Sequence, residues 1–300
     1  MNRRRAYLEL HIAVLLFGFT AILGRLITLE EIALVWYRMG LATLSLLLLP
    51  GVLRSVRNLS PGEWKRLSGI GVLVALHWVT FFGSIKASSV SVTLSCMGTM
   101  ALFTAFLEPI FLRRAFRAEE FALGLFIVPG IFLISRFTEH SQIGIVLGII
   151  SAALAAIFAI LNKRAMEKHQ AFTITLVELG SGWAFLSVLL PLWMFWNPGT
   201  AWLPEPMDWL WLFLLALVCT TLAYVLALRA LGPLSAFINS LTINLEPVYG
   251  ILLAMLIFQE HKDLSPGFYV GAAMVLLAVF LHPWLSGYMD KTRGIRPFSQ

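Results

Sequence analysis

Long apolar runs alternate with short polar connections along almost the whole chain. None of these runs shows the strict alternation of apolar and polar positions that is typical of a membrane β-strand. Most of them reach the roughly 20 residues that a helix needs to span a bilayer. The pattern therefore predicts an all-α integral membrane protein with ten transmembrane helices. The ten runs are Tyr7–Ile27, Ile32–Val52, Leu67–Ile85, Ser89–Leu112, Phe121–Ser135, Ile143–Leu161, Phe172–Phe195, Trp209–Leu228, Leu234–Phe258 and Gly267–Leu285.

The composition supports a membrane protein and excludes several other classes. Of the 300 residues, 59% are hydrophobic and only 13% are charged, which is more apolar surface than a soluble domain needs. The net charge of +6 resides in short loops, so we expect a lipid bilayer and not a nucleic acid as the partner. Cys96 and Cys219 lie inside apolar runs, which argues against a disulfide framework. No metal-binding or phosphate-binding motif occurs, and we expect no cofactor.

The positions of the basic residues predict the orientation in the membrane. With the N-terminus on the cytoplasmic side, 17 of the 22 Lys and Arg residues lie in inside segments. Placing both termini inside requires an even number of spans, which agrees with ten.

The two halves of the chain resemble each other. Five spans in each half is an odd number, so the halves must have opposite orientations, an architecture typical of secondary transporters. We predict a first repeat over residues 1–138, a second over residues 139–288, and a cytoplasmic tail over residues 289–300. The offset between matching positions grows from 138 to 147 residues. The matches are Ala21–Leu23 with Ala159–Leu161, Gly40 with Gly180, Lys86 with Arg229, and Gly124 with Gly271.

The ninth run carries Glu246 and Pro247 at its middle. A carboxylate in lipid costs roughly 2–3 kcal/mol or more, so Glu246 should face a cavity or a partner. Pro247 removes a backbone donor and should kink the helix. Asn239 and Asn244 lie within two turns of Glu246 and add polar groups. We interpret this stretch as part of a substrate cavity, and the alternative is a kink whose carboxylate is satisfied by a neighbouring helix.

Further cavity candidates lie on other helices. His77 sits near the middle of the third run, and its imidazole titrates near physiological pH, so it can carry a coupling proton. The alternative for His77 is a hydrogen-bonded packing residue. Trp78 either lines the pocket or faces lipid. Thr99, in a fourth run rich in Ser and Thr, and Tyr224 complete the candidate cavity set.

Four charged residues inside or near the ends of spans are candidates for gates or ion pairs. Arg38 lies about two turns into the second run, where it could snorkel outward, form an ion pair or gate, or contact a substrate carboxylate. Glu178 is its counterpart in the second half, and Lys86 ends the third run. Glu108 resembles Glu246 in its Leu-Glu-Pro context, but the spacing places it two turns further along its helix. We expect Glu108 to form a local ion pair near Arg113 and Arg114.

The chain resembles the EamA family of the drug/metabolite transporter (DMT) superfamily. The resemblance rests on ten helices in two halves, Trp36-Tyr37-Arg38 in the second helix, the stretch Ala75–Lys86, and a ninth helix with a proline and Glu260 beyond it. In the first half, Met100-Ala101 stand where the family has a proline, and Arg114 replaces the acid that corresponds to Glu260. The resemblance implies export or exchange of small metabolites such as amino acids, driven by an ion or substrate gradient, across a bacterial inner membrane.

Together these patterns predict a secondary active transporter, an exporter or exchanger, that works by alternating access and is not an enzyme. Protons are the candidate coupling ion. The alternative is an intramembrane enzyme acting on a lipid or peptide, since Gly180-Ser181-Gly182 resembles a fragment of an intramembrane protease motif. No histidine partner for that serine is evident. The sequence leaves open the substrate, the direction of transport, the coupling ion, and whether the chain forms a homo-oligomer.

Overall fold

The computed structural model describes residues 3–112, 142–199, 202–231, 245–262 and 264–292, with positions 122, 126, 129, 130 and 133 between the first two ranges. Throughout these residues the regular structure is helical, and they contain no strand. A π-helical segment covers Leu214–Leu222, and a short 3-10 turn covers Glu260–Lys262. The helices are α1 (Arg3–Leu26), α2 (Glu31–Leu47), α3 (Val52–Arg57), α4 (Pro61–Ala87), α5 (Val90–Met97), α6 (Met100–Leu112), α7 (Gln142–Met166), α8 (Ala171–Trp196), α9 (Pro206–Phe213), α10 (Ala223–Leu231), α11 (Glu246–Ile257) and α12 (Pro266–Thr292).

Several of these helices are long and apolar enough to cross a bilayer, which confirms the predicted multi-pass helical membrane protein. Among the described residues there are six: Arg4–Leu26, Pro61–Ala87, Val90–Phe111, Gln142–Met166, Ala171–Trp196 and Pro206–Ala227. The helices α2 and α11 are also apolar but shorter, at 17 and 12 residues. Most of the predicted fifth run, and the ninth run before Leu245, lie outside the described residues.

The fourth apolar run is broken, although the sequence predicts one continuous helix there. The helix α5 ends at Met97 and α6 begins at Met100. Gly98 has a low helix propensity, and Thr99 Oγ1 donates to the Cys96 carbonyl at 2.6 Å, a side-chain bond that competes with the helix. Broken helices inside a membrane are tolerated where they are buried in protein or line a cavity.

The interior is organised around α4, which packs against α7 and α8. The contact with α8 is close, because a methyl group built on Gly71 would lie 2.2 Å from Ser181 Oγ and 2.3 Å from the Glu178 carbonyl oxygen. On the other side of the bundle, α1 packs against the π-helical segment, α10 and α11. The helix α2 lies between α8 and the π-helical segment. Any side chain that points inward from α2 therefore reaches the centre of the bundle.

The crossing of α2 and α8 is reciprocal. A methyl group built on Gly40 of α2 would lie 2.9 Å from Nε1 of Trp183 on α8. A methyl group built on Gly180 of α8 would lie 3.6 Å from Cγ2 of Thr43 on α2. The offset from Gly40 to Gly180 and from Thr43 to Trp183 is the same 140 residues, so the two contacts are equivalent in the predicted alignment of the two halves.

Polar contacts tie the helix ends together at both ends of the bundle. At the end where α1 begins, Glu9 accepts from Arg5 at 2.9 Å and pairs with Arg229 of α10 at 3.3 Å. Three further contacts have long sequence separations: His169–Glu63 at 3.0 Å, Lys163–Glu108 at 2.8 Å, and Ser55–Thr173 at 2.7 Å. At the opposite end Lys86 donates to the Ile27 carbonyl at 3.1 Å, and Asp208 bonds to Thr28. The chain thus runs back and forth between two ends, and the basic residues Lys163, Arg229 and Arg5 share one of them.

Candidate functional site

Arg38 is the charged side chain at the centre of the bundle. It is the eighth residue of α2, and only 2% of its surface is exposed. Its Nε donates to Thr220 Oγ1 at 2.8 Å, across 182 positions of sequence. The Thr220 hydroxyl in turn donates to the Leu215 carbonyl at 2.8 Å. The single proton of that hydroxyl is therefore used inside the π-helical segment, which leaves a lone pair directed at Arg38.

The π-helical segment Leu214–Leu222 is in contact with α2. Thr220 and Thr221 both bond to carbonyls five residues earlier, Leu215 and Ala216, at 2.8 and 3.1 Å. The Thr221 hydroxyl also lies 2.8 Å from Ser45 Oγ of α2. π-Helical insertions within α-helices are often found at functional sites. Here the insertion directs two neighbouring hydroxyls towards α2.

Aromatic rings of α4 cover Arg38. Its guanidinium carbon lies 3.7 Å from the centroid of the Trp78 ring and 5.6 Å from that of Phe82. An arginine over an indole face at this distance forms a cation–π interaction, which is stronger when desolvated. Trp78 itself is 5% exposed. Trp78 therefore lies in the interior of the bundle, against Arg38.

The guanidinium of Arg38 forms no salt bridge with a carboxylate of the described residues, and its Nη1 is buried there without a hydrogen-bond partner. Tyr224, Cys219 and Glu246 interact with it electrostatically from further away. Glu246 is the first residue of α11 and is half-buried. Tyr224, near the start of α10, stacks edge-to-face on Phe17 of α1 with ring centroids 5.8 Å apart. Of the predicted cavity residues, the structure places Trp78 in direct contact with Arg38, while Tyr224 and Glu246 lie within electrostatic range of its charge.

His77 belongs to the contact between α4 and α7. Its Nδ1 lies 2.9 Å from the Ser151 carbonyl, and Ser151 Oγ donates to the His77 carbonyl at 3.0 Å. The ring packs against Phe158 at a centroid distance of 5.3 Å. Thr80 on the same face bonds only to carbonyls of its own helix, those of Leu76 and His77. His77 is therefore a hydrogen-bonded residue of the contact between α4 and α7.

Glu178 is buried in α8 at 3% exposure. Asn162 Nδ2 of α7 donates to its Oε2 at 3.2 Å. The Glu178 Oε1 and the Asn162 Oδ1 are both buried without a hydrogen-bond partner in the described residues. Two facing oxygens that both lack a donor indicate either a protonated carboxyl or a place for an external donor.

The remaining predicted residues form contacts at a helix break or near helix ends. Thr99 bonds to Cys96 at the break between α5 and α6. Lys86 bonds to the Ile27 carbonyl, and Glu108 pairs with Lys163 at 2.8 Å. Pro247 is in the first turn of α11, where its missing N–H is tolerated. The predicted kink there depends on residues before Leu245, and these, like Asn239, Asn244, Arg113 and Arg114, lie outside the described residues.

The sequence did not identify the hydrogen-bond partners of His77 and Arg38, and one repeated motif was missed. Ser151 and Thr220 are a serine and a threonine in apolar runs, and nothing local marks them as partners of His77 and Arg38. The sequence does contain a pattern that points to the contacts of Glu63 and Asp208 at the two ends of the bundle. Pro61-Gly62-Glu63-Trp64 recurs as Pro206-Met207-Asp208-Trp209, an offset of 145 residues at the start of equivalent helices.

The Glu260 carboxylate, at the end of the ninth run, caps another helix. It accepts from the backbone N–H groups of Val90 and Ser91 at 3.1 and 2.9 Å, at the start of α5. A carboxylate at a helix N-terminus satisfies orphan donors and interacts favourably with the helix dipole. The role of Glu260 in the structure is therefore to hold α5 against the end of α11. Within the described residues, no group of three or more His, Cys, Asp or Glu side chains is placed to hold a metal ion.

Comparisons with known proteins agree with this architecture. An uncharacterized transporter from Archaeoglobus fulgidus is 27% identical over 223 residues, which cover 72% of this chain and 76% of the relative. A crystal structure with 15% identical residues superposes with a TM-score of 0.62 over 95% of this chain and 99% of that one, a likeness of fold. The model of the EamA-like transporter family matches residues 4–136 and again residues 142–282. The chain belongs to the EamA-like transporter family.

Proposed function

We propose that this membrane transporter carries small metabolites by secondary active transport and alternating access between two inverted halves of five helices, residues 1–138 and 139–288. The observation that carries the proposal is a pair of equivalent contacts at opposite ends of the bundle. Each joins the start of one half's third helix to the connection between the first two helices of the other half. We call them the Glu63 latch and the Asp208 latch.

The Glu63 latch joins Glu63, at the start of α4, to His169 in the connection between α7 and α8, at 3.0 Å. The Asp208 latch joins Asp208, at the start of α9, to Thr28 in the connection between α1 and α2. Asp208 accepts from the Thr28 backbone N–H at 2.9 Å and from its hydroxyl at 2.6 Å. The offsets from Glu63 to Asp208 and from Thr28 to His169 are 145 and 141 residues. Inverted repeats that rock about a central site would open one latch while closing the other.

The two latches differ in the observed state. Asp208 is 1% exposed and accepts a third bond from the Glu205 backbone N–H at 3.2 Å. The side chains of Glu63 and His169 are 35% and 16% exposed, and they border a crevice that is also lined by Arg66 and Arg164. The Asp208 latch is thus buried, and the Glu63 latch is partly exposed. Alternating access predicts this asymmetry for one of the two end states of the transport cycle, in which one latch is closed and the other is less tightly closed. The reciprocal crossing at Gly40 and Gly180 suits a pivot between the halves.

The proposal includes a bacterial inner membrane and cytoplasmic termini. The basic residues at the end with the Glu63 latch support a cytoplasmic location for that end. We infer that the carrier exports or exchanges its substrate. An intramembrane enzyme is not favoured, because Ser181 bonds to the Val177 carbonyl at 2.6 Å and to other backbone carbonyls, and is not placed against a base in the described residues.

Crosslinking each latch tests alternating access. Cysteine pairs replace Thr28 and Asp208 in one variant, and Glu63 and His169 in another, and each pair is bridged by a short bifunctional thiol reagent. Both bridges should stop solute exchange in proteoliposomes, and each should leave the opposite end open to impermeant maleimide. Exchange that continues with either bridge intact would contradict the mechanism. The orientation is tested separately by labelling of intact cells, where outside access at cysteines replacing Arg54 or Lys163 would exclude the proposed topology.

A further inference from the structure

The crevice beside the Glu63 latch is lined mainly by basic side chains, and we call it the Glu63 crevice. Arg66 lines it from α4, Arg164 from the end of α7, and Lys168 and His169 from the connection between α7 and α8. Arg66, Arg164 and Lys168 are exposed and form no salt bridge within the described residues. Three like charges around one opening repel one another, and a bound anion would relieve that repulsion.

Glu63 is the acidic residue among those that line the crevice, and its carboxylate oxygens already have partners. Its Oε2 accepts from the Ser60 backbone N–H at 2.9 Å and from the Ser60 hydroxyl at 2.7 Å. Its Oε1 lies 3.0 Å from Nε2 of His169. Three basic side chains, those of Arg66, Arg164 and Lys168, face this single carboxylate. Two positive charges therefore remain uncompensated, even where His169 is neutral.

The size of the crevice limits what can bind there. Its volume is about 40 Å³, whereas sites for organic solutes have roughly 300–1,000 Å³. The buried residues that line it, Leu67 and Ala165, are apolar and offer no side-chain partner to a larger polar ligand. The crevice therefore suits one small anionic group. Two arginines favour a phosphate, because each guanidinium presents parallel donors that match two phosphate oxygens.

The crevice lies where two long apolar helices reach the surface of the bilayer. The helix α4 begins at Pro61 and α7 ends at Met166, and both are long enough to cross a membrane. Trp64, the residue after Glu63, is 41% exposed, and tryptophan is enriched at membrane–water interfaces. Basic pockets between transmembrane helices at this depth bind phospholipid head groups. The head groups of the bilayer are thus the nearest source of phosphate.

We propose that the Glu63 crevice binds a phosphate group, and that an anionic phospholipid of the surrounding bilayer supplies it. Arg66 belongs to the first proposed half of the chain, and Arg164 to the second. A phosphate held by both would join α4 to α7 beside the Glu63 latch. Binding of the lipid goes beyond the proposed transport function and does not depend on it, because its measurement requires no transported solute.

Native mass spectrometry of the purified full-length protein in detergent tests this site, because it counts bound lipids. Dioleoylphosphatidylglycerol should bind the wild type at least about tenfold more tightly than dioleoylphosphatidylcholine, which carries a phosphate but no net charge. Equal affinity for the two lipids would overturn the proposal.

Isothermal titration calorimetry with inorganic phosphate separates the two sources of the phosphate group. We expect no saturable binding of inorganic phosphate at concentrations that leave phosphatidylglycerol bound. Saturable binding of inorganic phosphate without binding of phosphatidylglycerol would assign the crevice to a soluble anion and overturn the lipid as its ligand.

Paired variants separate a built site from general attraction to a basic surface. Arg66→Gln combined with Arg164→Gln should weaken binding of phosphatidylglycerol by at least about tenfold. Arg54→Gln combined with Arg57→Gln is the matched control, because it removes the same charge from exposed positions of α3 that do not line the crevice. The control should retain most of the wild-type affinity. An equal loss in both double variants would overturn the proposal.

Conservative and single substitutions guard against a folding defect. Arg66→Lys combined with Arg164→Lys keeps both charges and should lose less affinity for phosphatidylglycerol than the glutamine pair. The lipid-free Tm of each variant should equal that of the wild type, because these side chains are exposed. If the glutamine pair does not fold, Lys168→Gln alone decides the outcome. Weaker binding of phosphatidylglycerol by Lys168→Gln would support the site, and unchanged binding would overturn it.

Discussion

Thr28 and Asp208 are joined by two hydrogen bonds, of 2.9 and 2.6 Å, across 180 positions of sequence. Hydrogen bonds to a charged group contribute about 1.5–3 kcal/mol each. Asp208→Ala should therefore weaken closure at that end by about 2–3 kcal/mol or more, a shift of roughly 30- to 150-fold in a two-state equilibrium. Labelling of a reporter cysteine at Ser88 by impermeant maleimide should accelerate by at least about tenfold.

The control for this change is Glu205→Gln, which removes a nearby negative charge but keeps a side-chain acceptor beside the Asp208 backbone, and leaves Asp208 and Thr28 unchanged. In this control variant, the cysteine that replaces Ser88 should be labelled at close to the rate found without the substitution at Glu205. Similar acceleration by both substitutions would mean that the Asp208 latch does not hold the end closed.

Trp78 and Arg38 should be energetically coupled through the stacked contact at 3.7 Å. A desolvated cation–π interaction is worth about 2 kcal/mol or more. Trp78→Leu should therefore lower the Tm of the purified protein, and Trp78→Phe should lower it less. The Tm is the measurement. Trp64→Leu, on the exposed start of the same helix, should leave it unchanged, and an equal loss in both would indicate a general packing defect.

Gly71 should tolerate no side chain, while Gly69 two residues earlier should tolerate one. A methyl group at Gly71 meets Ser181 and the Glu178 backbone, and the backbone cannot move aside cheaply. Overpacking of this kind costs about 1–3 kcal/mol or more, so Gly71→Ala should lower the Tm and the yield of monodisperse protein. A methyl group at Gly69 has nothing within 4 Å, and Gly69→Ala should gain up to about 1 kcal/mol of helix propensity. A stable Gly71→Ala protein would show that α4 and α8 do not pack this closely.

Glu260 should determine the stability of the start of α5. Glu260→Ala leaves two buried backbone N–H groups without acceptors, at a cost of about 1–3 kcal/mol each. Hydrogen exchange of residues 90–97 should accelerate, with smaller changes in α4. His261→Ala, an exposed neighbour, serves as the control. Unchanged exchange at Val90 and Ser91 in Glu260→Ala would contradict the capping role.

Glu246 is the candidate for coupling to protons, because a carboxyl that is charged in one state and neutral in another links a proton to the substrate. Glu246→Gln should abolish transport driven by a pH gradient in proteoliposomes but preserve exchange of substrate. Glu108→Gln, which affects a pair with Lys163 at the bundle end, is the matched control. If Glu246→Gln loses both substrate exchange and transport driven by the pH gradient, Glu246 is a fixed hydrogen-bond acceptor. If transport driven by the pH gradient is unchanged, the coupling hypothesis is wrong.

The sequence by itself determined the features that depend on local chemistry. Long apolar runs specify membrane helices, because an unsatisfied backbone group in lipid is costly and a helix satisfies its own groups. Arg38, Glu178 and Glu246 were predicted as candidate functional residues because they lie within apolar runs, where charged residues are rare. Among the described residues, the break at Gly98 and Thr99 was not revealed by the local pattern, because Ser and Thr are also common in continuous membrane helices.

Only the tertiary structure decided which side chains meet. Arg38 and Thr220 lie 182 positions apart, and Glu260 reaches back 170 positions to Val90. Such contacts depend on the rotation of each helix about its axis and on close approaches such as that at Gly71, which apolar periodicity does not fix when a helix is hydrophobic on nearly every side. The unpartnered Nη1 of Arg38 in the described residues depends on the same packing. A sequence shows that a charge is present, but whether that charge is paired depends on which groups the folded helices bring within 3 Å or so of it.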